Sequence, residues 1–166
     1  MKNLIACLLA ALLIAGCKNI PVNGTPTVSD GFYQVMKLLP DSVSVSIPQH
    51  QVLIPFDTLF NSGDYTRVLI DTAEYIPLEL NEAPTTEPLD ENRKLLSVTL
   101  TPRTSHSMRD FTAKRIMKEV VIVMDGKAIT MHKVRDTITG DKMQITRCTD
   151  NACEYLYVKM KTKIRR

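Results

Sequence analysis

Apolar and polar positions alternate along most of the chain, as they do in half-buried β-strands. Asp41 to Ile47 alternates serine with valine and isoleucine, and shorter apolar runs cover 52–56, 65–70, 75–80, 95–100 and 143–147. The runs 120–124 and 127–131 are separated only by Asp125-Gly126, a pair that supplies the positive φ angles of a tight hairpin turn. The pattern therefore predicts a β-rich body with one well-defined hairpin.

Two segments show helical spacing instead. The first begins at Ser29 or Asp30, ends before Pro40, and carries Phe32, Val35, Met36 and Leu39. The second begins at Ser105 or Ser107, and its inward residues are predicted to be Met108, Phe111, Ile116 and Met117. Because polar residues occupy the remaining positions of the second segment, we expect an amphipathic helix that packs on the sheet.

The C-terminal residues 155–164 alternate again, and this predicts a final strand. Its polar face carries Lys159, Lys161, Lys163 and Arg165, which are candidate binding residues for anionic headgroups or an acidic partner. A helix that begins at Asp150 and runs through Ala152, Tyr155, Leu156 and Lys159 is the alternative. The sequence alone does not decide between the two.

The N-terminus has the form of a secretory signal. A short basic start precedes a run of twelve apolar residues, Leu4 to Ala15, which is too short for a spanning helix of roughly 20 residues. Leu13, Ala15, Gly16 and Cys17 resemble the lipobox of bacterial lipoproteins. The resemblance implies cleavage after Gly16 and acylation of Cys17, including palmitate, so that the partner of this end of the chain is a membrane.

The position after the lipidated cysteine bears on localisation. Lys18 stands where lipoproteins retained at the inner membrane carry Asp, and the resemblance therefore implies an outer-membrane anchor that faces the periplasm. Two or more acyl chains on one residue give stable rather than marginal membrane binding. We expect a folded domain held to the membrane by lipid.

The chain has four cysteines, of which Cys7 lies in the predicted signal peptide and Cys17 is the predicted lipid site. In an oxidising compartment the remaining pair, Cys148 and Cys153, is predicted to form a local disulfide that closes a terminal hairpin. A redox pair would more often have two intervening residues, and a zinc site would need two further ligands.

Charge is divided unevenly between the halves, although the formal net charge of the 166 residues is only +3. Residues 18–91 hold three basic and eleven acidic residues, whereas residues 92–166 hold seventeen basic and seven acidic residues. Such asymmetry indicates either an interaction surface or two halves that complement each other within one fold. The small net charge gives no support for nucleic-acid binding.

The domain organisation follows from these patterns. We expect a signal peptide at 1–16, a lipidated tether at 17–28, and a small mostly-β N-terminal subdomain at 29–80. A linker at 81–93, with Pro84, Pro88 and several acidic residues, precedes an α+β subdomain at 94–166.

The second subdomain resembles a known family. Phe111-Thr112, the hairpin from Val121 to Thr130, Ile138-Thr139-Gly140-Asp141 and Gln144-Ile145-Thr146 are similar to the periplasmic head subdomain of SecD, the accessory subunit of the bacterial protein-export channel. The resemblance covers roughly residues 94–150. It implies an α+β fold with a ferredoxin-like C-terminal unit, and a role in holding an emerging unfolded polypeptide.

No catalytic motif is present. His50, His106 and His132 lie far apart without metal-ligand spacing, and Ser105-His106-Ser107 is not a nucleophile elbow. We therefore predict no enzymatic activity, no cofactor and no metal. The prediction is a non-catalytic protein-binding or accessory role in the cell envelope, through an exposed sheet edge or the basic C-terminal face. A structural or stress-related lipoprotein without a dedicated partner, or an unrecognised hydrolase, are the alternatives.

Overall fold

The structure, a computed structural model, describes residues 28–60 and 63–165. The predicted signal peptide, Cys17 and almost all of the predicted tether lie outside these residues. The elements in chain order are β1 (Gly31–Leu39), β2 (Gln51–Pro55), β3 (Arg67–Pro77), β4 (Thr85–Pro88), β5 (Arg93–Thr99), α1 (Pro102–Ala113), β6 (Glu119–Met124), β7 (Lys127–Lys133), β8 (Lys142–Thr149) and α2 (Asp150–Lys161). The predicted α+β class is confirmed.

The strands form two antiparallel sheets. The larger has the order β2-β3-β1-β6-β7, and the smaller has the order β4-β5-β8. Because β1 pairs with β6, the larger sheet combines strands from both sides of the 81–93 segment, which itself contains β4. After residue 92 the order is strand, helix, three strands, helix.

The central part of the larger sheet is buried on both faces. Val121 and Val123 of β6 point into a small inner core, together with Ile54 and Ile70 from β2 and β3. Their neighbours on β6 point the other way, into a larger core that α1, α2 and the smaller sheet also line. The inner core is enclosed because the sheet curls. The backbone N–H of Asp57, just after β2, donates to the carbonyl of Ala128 on β7 at 2.8 Å.

The hairpin predicted from Asp125-Gly126 is confirmed. It joins β6 to β7, and both turn residues have positive φ, 50° at Asp125 and 73° at Gly126. The carboxylate of Asp30 accepts a hydrogen bond from the backbone N–H of Asp125 at 2.8 Å. The turn is therefore held against the start of β1.

Helix α1 is confirmed, with different ends from those predicted. It begins at Pro102, because the side chain of Thr101 accepts a hydrogen bond from the Thr104 N–H at 3.2 Å and caps the helix. Met108 and Phe111 are buried as predicted. The prediction that Ile116 and Met117 point inward is wrong. The helix ends at Ala113, and these side chains are 42% and 61% exposed.

The prediction of a helix between Ser29 and Pro40 is wrong, since residues 31–39 form β1. Phe32 packs in the larger core and Tyr33 in the inner core, so consecutive residues are both buried. A strand buried on both faces has no polar-apolar alternation, and its apolar positions can match a helical spacing by chance. Pro40 ends the element, as predicted.

The strand predicted at 41–47 is also wrong. These residues connect β1 to β2 without a ladder partner, and Val43 and Ile47 are exposed. The guanidinium of Arg67 donates hydrogen bonds to the carbonyls of Pro40, Asp41 and Val43 at 2.8, 2.9 and 2.7 Å. Side-chain bonds take the place of a ladder at the start of this connection.

The C-terminal segment is the helix α2, so the strand prediction for 155–164 is wrong and the helical alternative is confirmed. Ala152, Cys153, Leu156 and Met160 recur at helical spacing and are 0–3% exposed. This buried stripe packs against β5 and β8. Of the alternating lysines, Lys161 is exposed, whereas Lys159 and Lys163 are half-buried at the end of the helix and just after it.

The predicted disulfide between Cys148 and Cys153 is confirmed, but it does not close a hairpin. It joins the end of β8 to the first turn of α2, and both cysteines are buried. The bond therefore fixes the point at which the chain leaves the smaller sheet and turns into the helix.

Replacing both cysteines with alanine is expected to lower the free energy of unfolding by about 2 kcal/mol, because the disulfide closes a short loop in the unfolded chain. Chemical denaturation of the full-length protein in detergent measures the change. Wild-type protein kept in reductant is the control and should match the variant. An unchanged denaturation midpoint would contradict the prediction.

Candidate functional site

The basic C-terminal residues are mostly neutralised within the fold. Three of them form ion pairs: Lys159 with Asp125, Lys163 with Asp30, and Arg165 with Glu79. The fourth, Lys161, lies over the ring of Tyr157 at 5.3 Å. Since two of the acidic partners belong to the N-terminal half, part of the charge asymmetry serves to hold the halves together.

Backbone hydrogen bonds reinforce this contact. The N–H of Leu80 donates to the carbonyl of Lys163 at 3.0 Å, and the N–H of Arg165 donates to the carbonyl of Leu80 at 3.0 Å. The C-terminal segment thus docks beside the exit of β3. Its basic side chains are positioned by internal partners, which makes them less available to an external one.

Helix α1 is fixed to β3 by a second set of charges. Glu74 pairs with Lys114 and with Arg115, each at 3.0 Å. Arg115 is buried, and its guanidinium lies 3.7 Å from the centre of the Phe111 ring. Hydrogen bonds from Lys114 and then Arg115 hold the pKa of Glu74 below its usual value. The end of α1 is therefore held in a fixed position. This helix forms one wall of a cavity.

That cavity, which we call the apolar cleft, has a volume of about 450 Å³. It lies between α1, one face of β6, and the connection 134–141 that leads from β7 to β8. Its floor and walls are formed mainly by apolar side chains, namely Phe32, Met108, Val120, Ile122, Val134, Ile138 and Met143. A cleft of this size and composition is typical of ligand sites, which usually measure 300–1,000 Å³.

The β7–β8 connection is held over the cleft by hydrogen bonds to α1. The backbone N–H of Ile138 donates to the Thr112 hydroxyl at 3.0 Å, and the Ser105 hydroxyl donates to the Gly140 carbonyl at 3.0 Å. Thr112 in turn donates to the Met108 carbonyl at 2.8 Å. These bonds fix the position of the connection relative to α1.

Polar groups surround the entrance, where His132, Lys133, Arg135, Asp136 and Gln144 form the rim. The Nε2 atom of His132 lies 2.5 Å from the Ile145 carbonyl oxygen. Because a carbonyl oxygen only accepts hydrogen bonds, this nitrogen carries the proton. Asp136 is the one carboxylate among the described residues that line the cleft, whereas glycoside hydrolysis normally uses a pair.

The three histidines do not meet in the fold. His50 sits exposed before β2 with φ of 61°, His106 lies on α1 near Asp110, and His132 lies on β7. Among residues 28–60 and 63–165, no group of three or more His, Cys, Asp or Glu side chains could hold a metal ion. Within the same residues, no helix has the length and apolar character needed to cross a membrane.

The sequence did not predict the cleft as a site. Its residues come from β1, α1, β6, β7, the β7–β8 connection and β8, and most of them are ordinary core types. The signal that could have indicated it is the stretch Arg135-Asp136-Thr137, polar residues that interrupt the strand pattern between two apolar runs. A polar connection next to apolar residues is typical of a cleft rim.

Comparison with known proteins identifies the family. Residues 78–162, slightly more than half of the chain, match the family model described as SecDF, P1 head subdomain. The chain belongs to the SecDF P1 head subdomain family. The resemblance to the SecD head is therefore confirmed, and it extends further in both directions than the sequence motifs alone indicated.

Two solved SecDF structures are similar to the chain. The crystal structure of SecDF in a super-membrane-facing form has 16% sequence identity and a TM-score of 0.48, over 80% of this chain and 18% of that chain. A SecDF structure described as a membrane component that enhances protein export has 15% identity and a TM-score of 0.42, over 80% and 61% of the two chains. The chain thus spans less than two thirds of both. No curated protein sequence matches it.

The SecDF P1 head match includes nearly all of the apolar cleft. The segment begins at Leu78 and ends at Thr162, so that Phe32 is the one lining residue outside it. It also includes α1, β8, the disulfide and α2. The cleft is therefore a feature of the part of the fold that defines the family.

Proposed function

We propose that this protein is a non-catalytic accessory protein of the cell envelope that binds segments of unfolded polypeptide. The observation that carries the proposal is the apolar cleft within the SecDF P1 head segment. A role in holding polypeptide is what the resemblance to SecD implies, and the cleft offers a place where an apolar side chain can be buried.

The chemistry of the cleft suits a peptide better than a small polar metabolite. Ile138, Met143 and Met108 offer an apolar surface, and methionine adapts to side chains of different shape. The rim residues Arg135 and Gln144 can bond to the peptide backbone. Such a site selects for apolar side chains with little regard to sequence, which is the requirement for a chain that handles many polypeptides.

The proposal includes the localisation of the protein. Cleavage after Gly16 and acylation of Cys17 would anchor the chain, and Lys18 favours the periplasmic face of the outer membrane. Residues 17–28 would act as a tether, followed by the subdomain 29–80, the segment 81–93 and the subdomain 94–166. Polypeptide would then be bound close to the membrane surface.

The basic C-terminal face is the second candidate binding surface, formed by Lys159, Lys161, Lys163 and Arg165. The ion pairs of three of these residues support the cleft over this surface as the main site. A structural role without a dedicated partner remains the alternative from a different class, and it predicts no binding of polypeptide at all.

Filling the cleft tests the proposal. We expect Ile138→Trp to weaken binding of a reduced, carboxymethylated polypeptide to the full-length protein by about tenfold, since losing one buried anchor typically has an effect of this size. Fluorescence anisotropy of the labelled polypeptide, with the protein in detergent, measures the affinity. Thermal denaturation of the variant checks that the fold is retained.

The matched control is Val158→Trp, because Val158 is an apolar residue on α2 that is 56% exposed and is not among the residues that line the cleft. We expect this variant to bind as the wild type does. If the wild type fails to bind unfolded polypeptide, the proposed function is wrong. If Ile138→Trp folds and binds normally, the cleft is not the site.

A further inference from the structure

Strand β1 extends beyond its hydrogen-bonded pairing with β6. Its pairing with β6 ends at Gln34 opposite Val120, whereas β1 continues to Leu39 and is paired there only with β3. We call Val35–Leu39 the β1 edge. Within the described residues, the side of the β1 edge that faces away from β3 has no neighbouring strand. A strand edge of this kind is where an extended peptide can add to a sheet.

A groove of about 560 Å³ runs beside the β1 edge. Its far side is formed by Met117, Lys118 and Glu119, where the chain passes from α1 into β6, and by Lys133 at the end of β7. Met36 and Met117 are 45% and 61% exposed on its surface. Exposed methionines next to a free strand edge offer apolar contacts that adapt to different side chains.

The charge of the groove is positive and unpaired. Lys37, Lys118 and Lys133 are all exposed, and none of them forms an ion pair with an acidic residue of the described part of the chain. Glu119 is the single acidic residue among the lining residues. Lysines 159 and 163, by contrast, are paired within the fold. The groove therefore keeps positive charge available for an external partner.

We propose that the β1 edge binds an extended, acidic polypeptide segment as an added strand, with its carboxylates on Lys37, Lys118 and Lys133. Its apolar side chains would contact Met36 and Met117. The inference rests on the proposed function in that the occupant is a polypeptide. It goes further by naming a second site and the class of segment that the site prefers.

Charge complementarity decides between the possible occupants. A second copy that paired β1 with β1 would bring Lys37 and its neighbouring lysines against one another, and like charges across a strand pair are destabilising. The tether 17–28 contains Lys18 and no acidic residue, so it has no complement to offer. An acidic strand from another polypeptide satisfies both the free edge and the lysines.

The β1 edge and the apolar cleft are neighbours. Lys133 lines both, and the two are separated only by a fixed backbone contact, in which Met117 N–H donates to the Val134 carbonyl at 2.7 Å and Val134 N–H donates to the Lys118 carbonyl at 2.9 Å. One polypeptide can therefore occupy both sites, with an apolar residue in the cleft and an extended acidic stretch along β1.

Methionine methyl NMR distinguishes the two sites directly. The probe is a ten-residue peptide that alternates glutamate with valine, added to full-length protein in detergent that carries labelled methionine methyl groups. We expect the Met36 and Met117 signals to shift while those of Met108 and Met143, in the cleft, stay unchanged. A peptide that alternates lysine with valine should give no shift.

Charge reversal supplies the quantitative test. Lys118→Glu is expected to weaken binding of the glutamate-valine peptide by about tenfold. Added salt should also weaken binding of this peptide to the wild type, because it screens the attraction between the lysines and the glutamates. The matched control is Lys161→Glu, which makes the same change of charge on α2 and should alter the affinity less than twofold. This control also tests the basic C-terminal face as a rival site.

Each other outcome overturns the inference. Equal binding of the two peptides, or a loss with Lys161→Glu rather than Lys118→Glu, would mean that the groove does not select acidic segments. Shifts at Met108 and Met143 alone would place the peptide in the cleft and leave the proposed function standing. If no peptide binds while the unfolded polypeptide still does, the β1 edge is not a site. If neither binds, the proposed function fails too.

Discussion

Phe111→Ala is expected to lower the free energy of unfolding by about 3–5 kcal/mol, the usual range for removing a large aromatic side chain from a core. Phe111 is fully buried on the inner face of α1, where it joins the larger core. Its ring also supports the guanidinium of Arg115, 3.7 Å from the ring centre. The substitution therefore leaves a cavity and removes the surface on which a buried cation rests.

The loss of Phe111 should affect the contact between α1 and β3 as well. Arg115 donates to the Phe111 carbonyl at 3.1 Å and to Glu74 at 3.0 Å, and these bonds fix the end of the helix. Without the Phe111 ring, the guanidinium of Arg115 loses its packing partner and is less well positioned to donate these two hydrogen bonds. We expect the variant to unfold at lower urea concentration with an unchanged dependence on denaturant, since the fold itself persists.

Urea denaturation of the full-length protein in detergent, followed by circular dichroism, measures this effect. Ile116→Ala is the matched control, because it removes an apolar side chain three residues beyond the end of α1, where 42% of the residue is exposed. Its effect should stay below about 0.5 kcal/mol. A loss of less than about 1 kcal/mol for Phe111→Ala would contradict the packing of α1 against the sheet.

The elements that the sequence predicted correctly are those whose signals are local. Asp125-Gly126 determines its own turn, because few other pairs accept positive φ at both positions, and the strands on either side follow from the turn. The disulfide was predictable by elimination, since Cys148 and Cys153 are the two cysteines that lie outside the predicted signal peptide and lipidation site. Neither inference needed knowledge of distant contacts.

The elements that the sequence predicted incorrectly depend on which surfaces the rest of the fold covers. β1 lies between two cores, so it lacks the polar face that identifies a strand, whereas 41–47 has the alternation of a strand but no neighbour to pair with. In α2, the alternation of the lysines matches a strand, whereas the buried stripe of Ala152, Leu156 and Met160 has helical spacing. Periodicity reports solvent exposure, and exposure is a property of the whole fold.

The candidate sites were less predictable than the fold for the same reason. The apolar cleft takes residues from six separate segments, and its lining consists of core types that no motif distinguishes. The β1 edge exists only because the ladder with β6 stops at Gln34. The general expectation of an exposed sheet edge could be made from the β-rich pattern, but which edge it is depends on where β6 begins.

Cys17→Ser is expected to abolish lipidation of the chain and, with it, its stable attachment to the outer membrane. Each buried CH₂ of an acyl chain contributes about 0.8 kcal/mol, so the several chains that the resemblance to lipoproteins implies would give a stable attachment. Metabolic labelling with palmitate, followed by separation of outer-membrane, inner-membrane and soluble fractions, measures the effect. We expect the wild type to be labelled and to lie in the outer-membrane fraction, and the variant to be unlabelled and either unprocessed or mislocalised.

Cys7→Ser is the matched control for this experiment, because it makes the same chemical change within the predicted signal peptide and should leave labelling intact. Normal palmitate labelling of Cys17→Ser would contradict the lipoprotein prediction.

The position of the anchor also bears on function. Val28, the last residue of the predicted tether, packs into the inner core, so the twelve residues of 17–28 end at the folded domain. A flexible chain of twelve residues in general spans about 20 Å on average. The cleft and the β1 edge would then be held close to the periplasmic surface of the membrane, within reach of polypeptide in the periplasm.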